Sequence, residues 1–394
     1  MATNISGSDI EKNSVTTAVN KPTVTETGPV APTKERLVSL DTFRGFIMLW
    51  LAGGTEVMRA LHAVGNNPAL NLLVYEFDHT PWHGLRFYDC IWPSFMLMVG
   101  ISIPFAVAKR SKTESESQIR RHAVNRAIIL FLLGSIRESI SMGHPYLIEL
   151  SSALQPIAIA YLVAFLLAKK SVRIQAAVAS LILIGYAFLL AFVPAPGIPA
   201  GTYQLNHNLA NYVDLIFLQP HWQVWRYAPE GWGTILSTIP TISTTILGLI
   251  IGELLMSSRS KATKAKIIAA VGVSGVILGW ILNPFIPVVM KMWTTSYGVM
   301  TAGWACLMFA FFFWFIDIRG YKKWTLPLVV IGMNAIFIYM FMSIIHVGGI
   351  VGVFTNPIAA RLGSFGELFS AFAVLLTAWL LLFWMYKRKI FIKA

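Results

Sequence analysis

Stretches of about 20 residues that are almost empty of charge recur along this chain, and they constrain its fold more than any other feature. Runs of that length cross a bilayer as helices, because a lone segment in hydrocarbon can satisfy its backbone only through its own hydrogen bonds. They fall near 43–62, 88–108, 123–142, 151–168 and 174–193, then 234–256, 266–284, 297–316, 326–346 and 366–386. Only 12% of residues are charged and 56% are hydrophobic, whereas soluble domains carry roughly 25% charge. The sequence therefore predicts an all-α, polytopic integral membrane protein with about ten transmembrane helices.

Charge placement orients the spans. The formal charge of +13 would suit a nucleic-acid partner only if the basic residues shared one soluble face. Here they sit in short clusters on alternate connections, such as Lys109–Lys112, Lys169–Arg173, Arg259–Lys266 and Arg319–Lys323. Lys and Arg favour cytoplasmic loops, and this orientation puts 25 of the 31 basic residues inside, with both termini cytoplasmic and no nucleic acid as partner. Residues 1–36, rich in Ser, Thr, Pro, Asn and Lys, read as a disordered cytoplasmic tail ahead of a membrane domain over 37–394. Cys90 and Cys306 lie in different apolar runs, which gives no disulfide framework.

The opposite face receives residues 63–87 and the long connection 194–233, whose Pro194, Pro196, Pro199, Trp222, Trp225 and Trp232 suit either a cover over a site or interfacial anchors. Gly248 with Gly252, and Gly275 with Gly279, have the spacing that lets helices pack closely within a chain or in a homodimer.

One extracytoplasmic stretch is unlike the rest: Phe77-Asp78-His79-Thr80-Pro81-Trp82-His83-Gly84-Leu85-Arg86-Phe87-Tyr88-Asp89 opens a span with two histidines, two aspartates and an arginine. Ionisable groups at such a place are costly unless paired or used. A histidine oriented by Asp89 or Asp78 could do acid–base work. A metal site of His79, His83 and Asp89 is the weaker alternative, because Thr80-Pro81 interrupts any helix through the two histidines and no metal is expected. The residues alone favour a histidine that merely rests at headgroup level over either site. Within the spans, Asp41, Arg44, Glu56, Arg137, Glu138 and Glu253 call for partners or a wet cavity. Glu56, beside Gly53, Gly54 and Thr55, reads as the cavity residue.

The segment Arg36–Gly45 opening the first run, His79-Thr-Pro-Trp82-His83-Gly84-Leu85 leading to Asp89, and Trp92-Pro93-Ser-Phe95 resemble the heparan-α-glucosaminide N-acetyltransferase family and its bacterial relatives. Leu154-Gln155, Tyr227-Ala-Pro229-Glu230-Gly231, Trp293–Tyr297, Gly332-Met333-Asn334 and Tyr386–Phe391 follow in the same order. The resemblance implies a transmembrane acyltransferase over 37–394 that passes an acetyl group from cytosolic acetyl-CoA to an amino sugar across a membrane, here the inner membrane of a bacterium. It makes His79 the catalytic base or acetyl carrier, with Asp89 orienting its ring. Trp82, His83, Glu56, Gln155 and Glu230 become the acceptor-binding candidates, and Arg44 and Asn334 the cofactor-binding ones. Relatives usually carry Asn where this chain has His83. Because hydrocarbon is about 30 Å thick, donor and acceptor meet either through a tunnel for the pantetheine arm or by inward folding of the loop that bears His79; the tunnel, opening at the cytoplasmic end, is the favoured expectation. The alternative is a secondary transporter of a sugar or sugar-derived solute, with Glu56 coupling ions.

Overall fold

The structure, a computed structural model, describes residues 37–65, 67–143, 145, 150, 152–218 and 234–392. It begins with α1 (Val38–Leu49), a five-residue π-helical turn (Trp50–Gly54) and α2 (Thr55–Val64). Gly53, at φ 120°, holds a backbone conformation in that turn that a side chain would strain. Next comes α3 (Pro68–Glu76), capped by the Asn67 side chain with Pro68 in its first turn.

A single turn of 3-10 helix (Tyr88–Cys90) feeds α4 (Ile91–Arg110). The next helix, α5 (Glu116–Met142), starts at a Ser115/Gln118 capping box and stops at Gly143, whose φ of 72° ends it. After α6 (Leu154–Leu167) and α7 (Val172–Phe192), a two-stranded hairpin (β1, Tyr203–Gln204; β2, His207–Asn208) leads into α8 (Leu209–Phe217). The remaining helices are α9 (Thr234–Met256), α10 (Lys261–Leu282), α11 (Thr295–Phe312), α12 (Leu326–Met333), α13 (Ala335–Ile344), α14 (Val347–Ala359) and α15 (Gly366–Lys387).

All ten expected runs are largely helical, yet length and composition single out six helices among the described residues as able to cross a membrane, or seven if the pair α12 and α13 is one span bent by 74°. The shortfall has physical causes. The π turn interrupts the first run, Arg120, Arg121, Arg126, Arg137 and Glu138 charge α5, and α6 has 14 residues. The chain is thus an all-α protein of multi-pass membrane type. Helices α7, α10 and α15 turn apolar side chains such as Leu181, Trp280 and Leu380 outward, as lipid-facing helices do.

Two close seams fix the interior. Helices α4 and α9 lie backbone to backbone: a Cβ at Gly100 would sit 2.0 Å from the Thr245 carbonyl oxygen, one at Gly248 2.2 Å from that of Leu97, and one at Gly252 2.5 Å from that of Ile101. The small-residue spacing of Gly248 and Gly252 is therefore used inside the chain. The same holds for Gly275 and Gly279, which face Gly303 and Met300 of α11. In the second seam α1 meets α12, with Gly45 against the Leu328 carbonyl. Large side chains, among them Phe43, Met96, Phe309 and Tyr297, fill the space around these seams.

Candidate functional site

The polar stretch after α3 cannot continue as helix through Thr80-Pro81, so it folds as an irregular segment tied at several points. Gly84 N–H donates to the Val288 carbonyl at 2.9 Å, and His83 pairs with Val289 as an isolated bridge. The indole Nε1 of Trp82 donates to the Tyr203 carbonyl at 2.7 Å, which fastens the segment to the hairpin. Burial raises the Tyr203 phenol above its ordinary range there.

Asp89 sits in the 3-10 turn that starts α4, where the positive end of the helix dipole favours a carboxylate. Its side chain is fully buried, but its lone pairs are used. Oδ1 lies 2.8 Å from Nδ1 of His79. Oδ2 accepts from the Thr80 hydroxyl at 2.7 Å and from the Arg86 N–H at 3.0 Å. The turn is held from beneath by Tyr297 of α11, whose hydroxyl donates to the Asp89 carbonyl at 2.7 Å. Asp78 steadies the histidine from the other side, accepting from the His79 N–H at 2.9 Å and from Arg59 at 3.0 Å. With a carboxylate at Nδ1, neutral imidazole carries its proton on that nitrogen and leaves Nε2 as the open lone pair. That side chain is 48% exposed, and its ring lies 4.6 Å from that of Tyr88. The arrangement suits a base or a nucleophile.

His79 and Asp89 line a cavity of about 240 Å³ together with Tyr88, Trp92, Arg137 and Tyr339. A second cavity of about 550 Å³ is lined by Arg44, Arg110, His122, Arg126 and Tyr161. Phe95, Ile157, Ala335 and Ile336 belong to the walls of both. The larger cavity is cationic, with no carboxylate among the described residues of its lining. Arg110 and His122 both approach Glu114, and Arg44 bonds Asp41 at 3.3 Å. Arg126 stacks 4.8 Å over the Tyr161 ring and has no ion pair among the described residues.

The structure brings His79 and Asp89 together and disperses most of the other expected residues. Glu56 lines neither of these two cavities: its side chain is 64% exposed and bonds Arg59 at 2.9 Å. The π turn explains the difference, since it shifts the phase of the helix just before this residue. His83 is exposed and Trp82 is occupied with the hairpin, so neither lines the cavity of His79. Gln155 is buried and donates to the Ser135 hydroxyl at 3.1 Å, tying α6 to α5. Glu230, like Trp222, Trp225 and Trp232, lies outside the described residues.

Arg44 does line the larger cavity. Asn334 is instead buried at the break between α12 and α13, where Nδ2 donates to the Ile390 carbonyl at 3.0 Å and Oδ1 accepts from the Ile392 N–H at 2.9 Å. It fastens the segment around Ile390 and Ile392 and lines neither cavity. Sequence reasoning marked Arg137 as a costly residue that calls for a partner or a wet cavity, but passed over Tyr339 and Tyr88 as wall residues.

No family model matches this chain. Two curated proteins are similar to it: heparan-alpha-glucosaminide N-acetyltransferase of Mus musculus, 23% identical over 369 residues that cover 77% of this chain and 53% of the relative, and the protein of the same name from Homo sapiens, 23% identical over 372 residues that cover 77% and 52%. The chain spans about half the length of the curated relatives it matches.

Proposed function

We propose that residues 37–394 form a membrane-embedded acetyltransferase of a bacterial inner membrane, with acetyl-CoA as donor and the amine of an amino sugar such as glucosamine as acceptor. The observation that carries this reading is the pair of cavities with a common wall, one holding the His79–Asp89 couple and the other lined by cations. The names of the two relatives agree with it. Phosphates of the donor suit the cationic cavity, where Arg126 and Arg44 are the residues to hold them. The pantetheine arm then extends past Phe95 and Ile157 toward His79, which is how a tunnel solves the thickness of the membrane.

In direct transfer, Nε2 of His79 takes a proton from the attacking amine, and Asp89 stabilises the resulting imidazolium. In a two-step route the same nitrogen carries the acetyl group. The test is acetyl transfer by purified protein with acetyl-CoA and a panel of amino sugars. Wild type should form product and His79→Ala should not, while still binding acetyl-CoA; equal product from both would remove His79 from the chemistry.

A second reading, transport of a sugar or sugar-derived solute, is favoured by the 74° break between α12 and α13, since discontinuous helices are a transporter device. Uptake of labelled sugar, chemically unchanged, into sealed vesicles would establish it. The exposed ion pair of Glu56 with Arg59 speaks against this reading, which expects Glu56 to couple ions.

A further inference from the structure

Arg137 stands on the wall of the His79 cavity, and its surroundings hold it in one orientation. Neighbouring residues on a helix do not normally face one another, yet Arg137 and Glu138 are ion-paired, so both side chains bend to the same side of α5. Glu138 is 7% exposed and Arg137 30% exposed at the side chain, which makes the carboxylate the buried support and the guanidinium the presented group. Nε donates to the Ser343 hydroxyl of α13 at 3.2 Å, and the guanidinium lies 5.2 Å from the centroid of the Tyr339 ring. A guanidinium has five N–H donors. Glu138 and Ser343 engage two of them, and among the described residues no other partner takes the rest.

We infer that Arg137 supplies the oxyanion-stabilising donors for acyl transfer at His79, an inference that rests on the acetyltransferase reading. The amine lone pair forms the new C–N bond while the carbonyl π pair moves onto oxygen, where the open N–H groups of Arg137 meet the developing charge. His79 Nε2 takes the amine proton. The oxygen pair then reforms the carbonyl, the C–S bond breaks with its electrons on sulfur, and the imidazolium proton passes to that thiolate. Donors fixed in advance in a site of low dielectric stabilise such charge far better than water does. Ser343 and Glu138 are the positioning residues, because they set the plane of the guanidinium without reaching the cavity wall.

The alternative is a purely structural ion pair, and the two separate cleanly. Arg137→Gln leaves Glu138 buried and unpaired, which destabilises the fold, so the deciding variant is Arg137→Gln/Glu138→Gln, which removes both charges together. Initial rates with acetyl-CoA and an amino sugar give kcat and KM for each substrate, alongside thermal unfolding in detergent. The double variant should unfold near the wild-type temperature, keep KM for acetyl-CoA within about threefold, and lose kcat by about 100-fold or more, the usual loss when one such donor is removed. Guanidinium ions added to an Arg137→Ala/Glu138→Gln variant should restore part of kcat where methylammonium does not. A double variant with kcat within about threefold of wild type overturns the inference while leaving the acetyltransferase reading intact. Absence of product from wild type itself overturns both.

Discussion

Replacing Asp89 by Asn changes one atom's hydrogen-bonding and almost no volume, and the surroundings of the residue dictate the result. Oδ2 accepts from the Thr80 hydroxyl and the Arg86 N–H, so the amide oxygen must take that place. The amide nitrogen is then left facing Nδ1 of His79 across the former 2.8 Å contact. An N–H group can only donate, so Nδ1 must lose its proton and Nε2 must hold it. The lone pair that should take the substrate's proton is gone. Flipping the amide would set donor against donor at Arg86 in a buried site, at about 1–3 kcal/mol. Loss of the charge-assisted bond to the imidazolium adds about 1.5–3 kcal/mol. Together these raise the barrier by about 2.5–6 kcal/mol, or roughly 10²- to 10⁴-fold in rate. The assay is initial-rate acetyl transfer, with thermal unfolding and acetyl-CoA binding on the same preparation. A folded Asp89→Asn protein that binds donor and works within tenfold of wild type would refute the tautomer argument.

Arg126→Ala removes a cation of the larger cavity that has no ion pair among the described residues; KM for acetyl-CoA should rise about 10- to 100-fold, as expected for a lost charge-assisted bond of about 1.5–3 kcal/mol, with kcat little changed. Gly248→Ala places a methyl 2.2 Å from the Leu97 carbonyl oxygen and forces α9 away from α4; overpacking of this kind costs about 1–3 kcal/mol or more, and an unchanged thermal transition in detergent would contradict it. Glu56→Gln touches only an exposed ion pair, so stability should move by less than about 1 kcal/mol. Neither acetyl transfer nor sugar uptake should change with it, whereas a tenfold loss of either would return Glu56 to the site.

The helices were legible because a span must be apolar over its whole length, and that demand leaves its mark on every residue. Crossings were less so: α6 is helical yet 14 residues long, and nothing in its composition shows how short it ends. The coupling of His79 to Asp89 could be suspected from proximity in sequence, since both belong to one short polar stretch. The position of Glu56 outside the two cavities was not legible, because a π turn is a matter of how one helix fits its neighbours, and Gly53-Gly54 looks the same whether a helix lines a cavity or changes phase. Asn334 and Gln155 show a different limit. A buried amide that binds a ligand and one that bonds its own chain have the same letters around them, and only the positions of Ile390, Ile392 and Ser135 tell them apart.

The glycine seam between α4 and α9 also acts as an axial gauge. Side chains that interdigitate can slip and settle in a neighbouring groove, but backbones in contact at Gly100, Gly248 and Gly252 have no slack along the helix axis. A slip by one turn would move α4 by about 5.4 Å, twice the 2.7 Å that joins the Asp89 carbonyl to the Tyr297 hydroxyl. The axial position of the histidine's carboxylate is thus calibrated by residues that line neither cavity, and a seam variant that still folds should betray itself first as a lost rate and only later as a lower melting temperature.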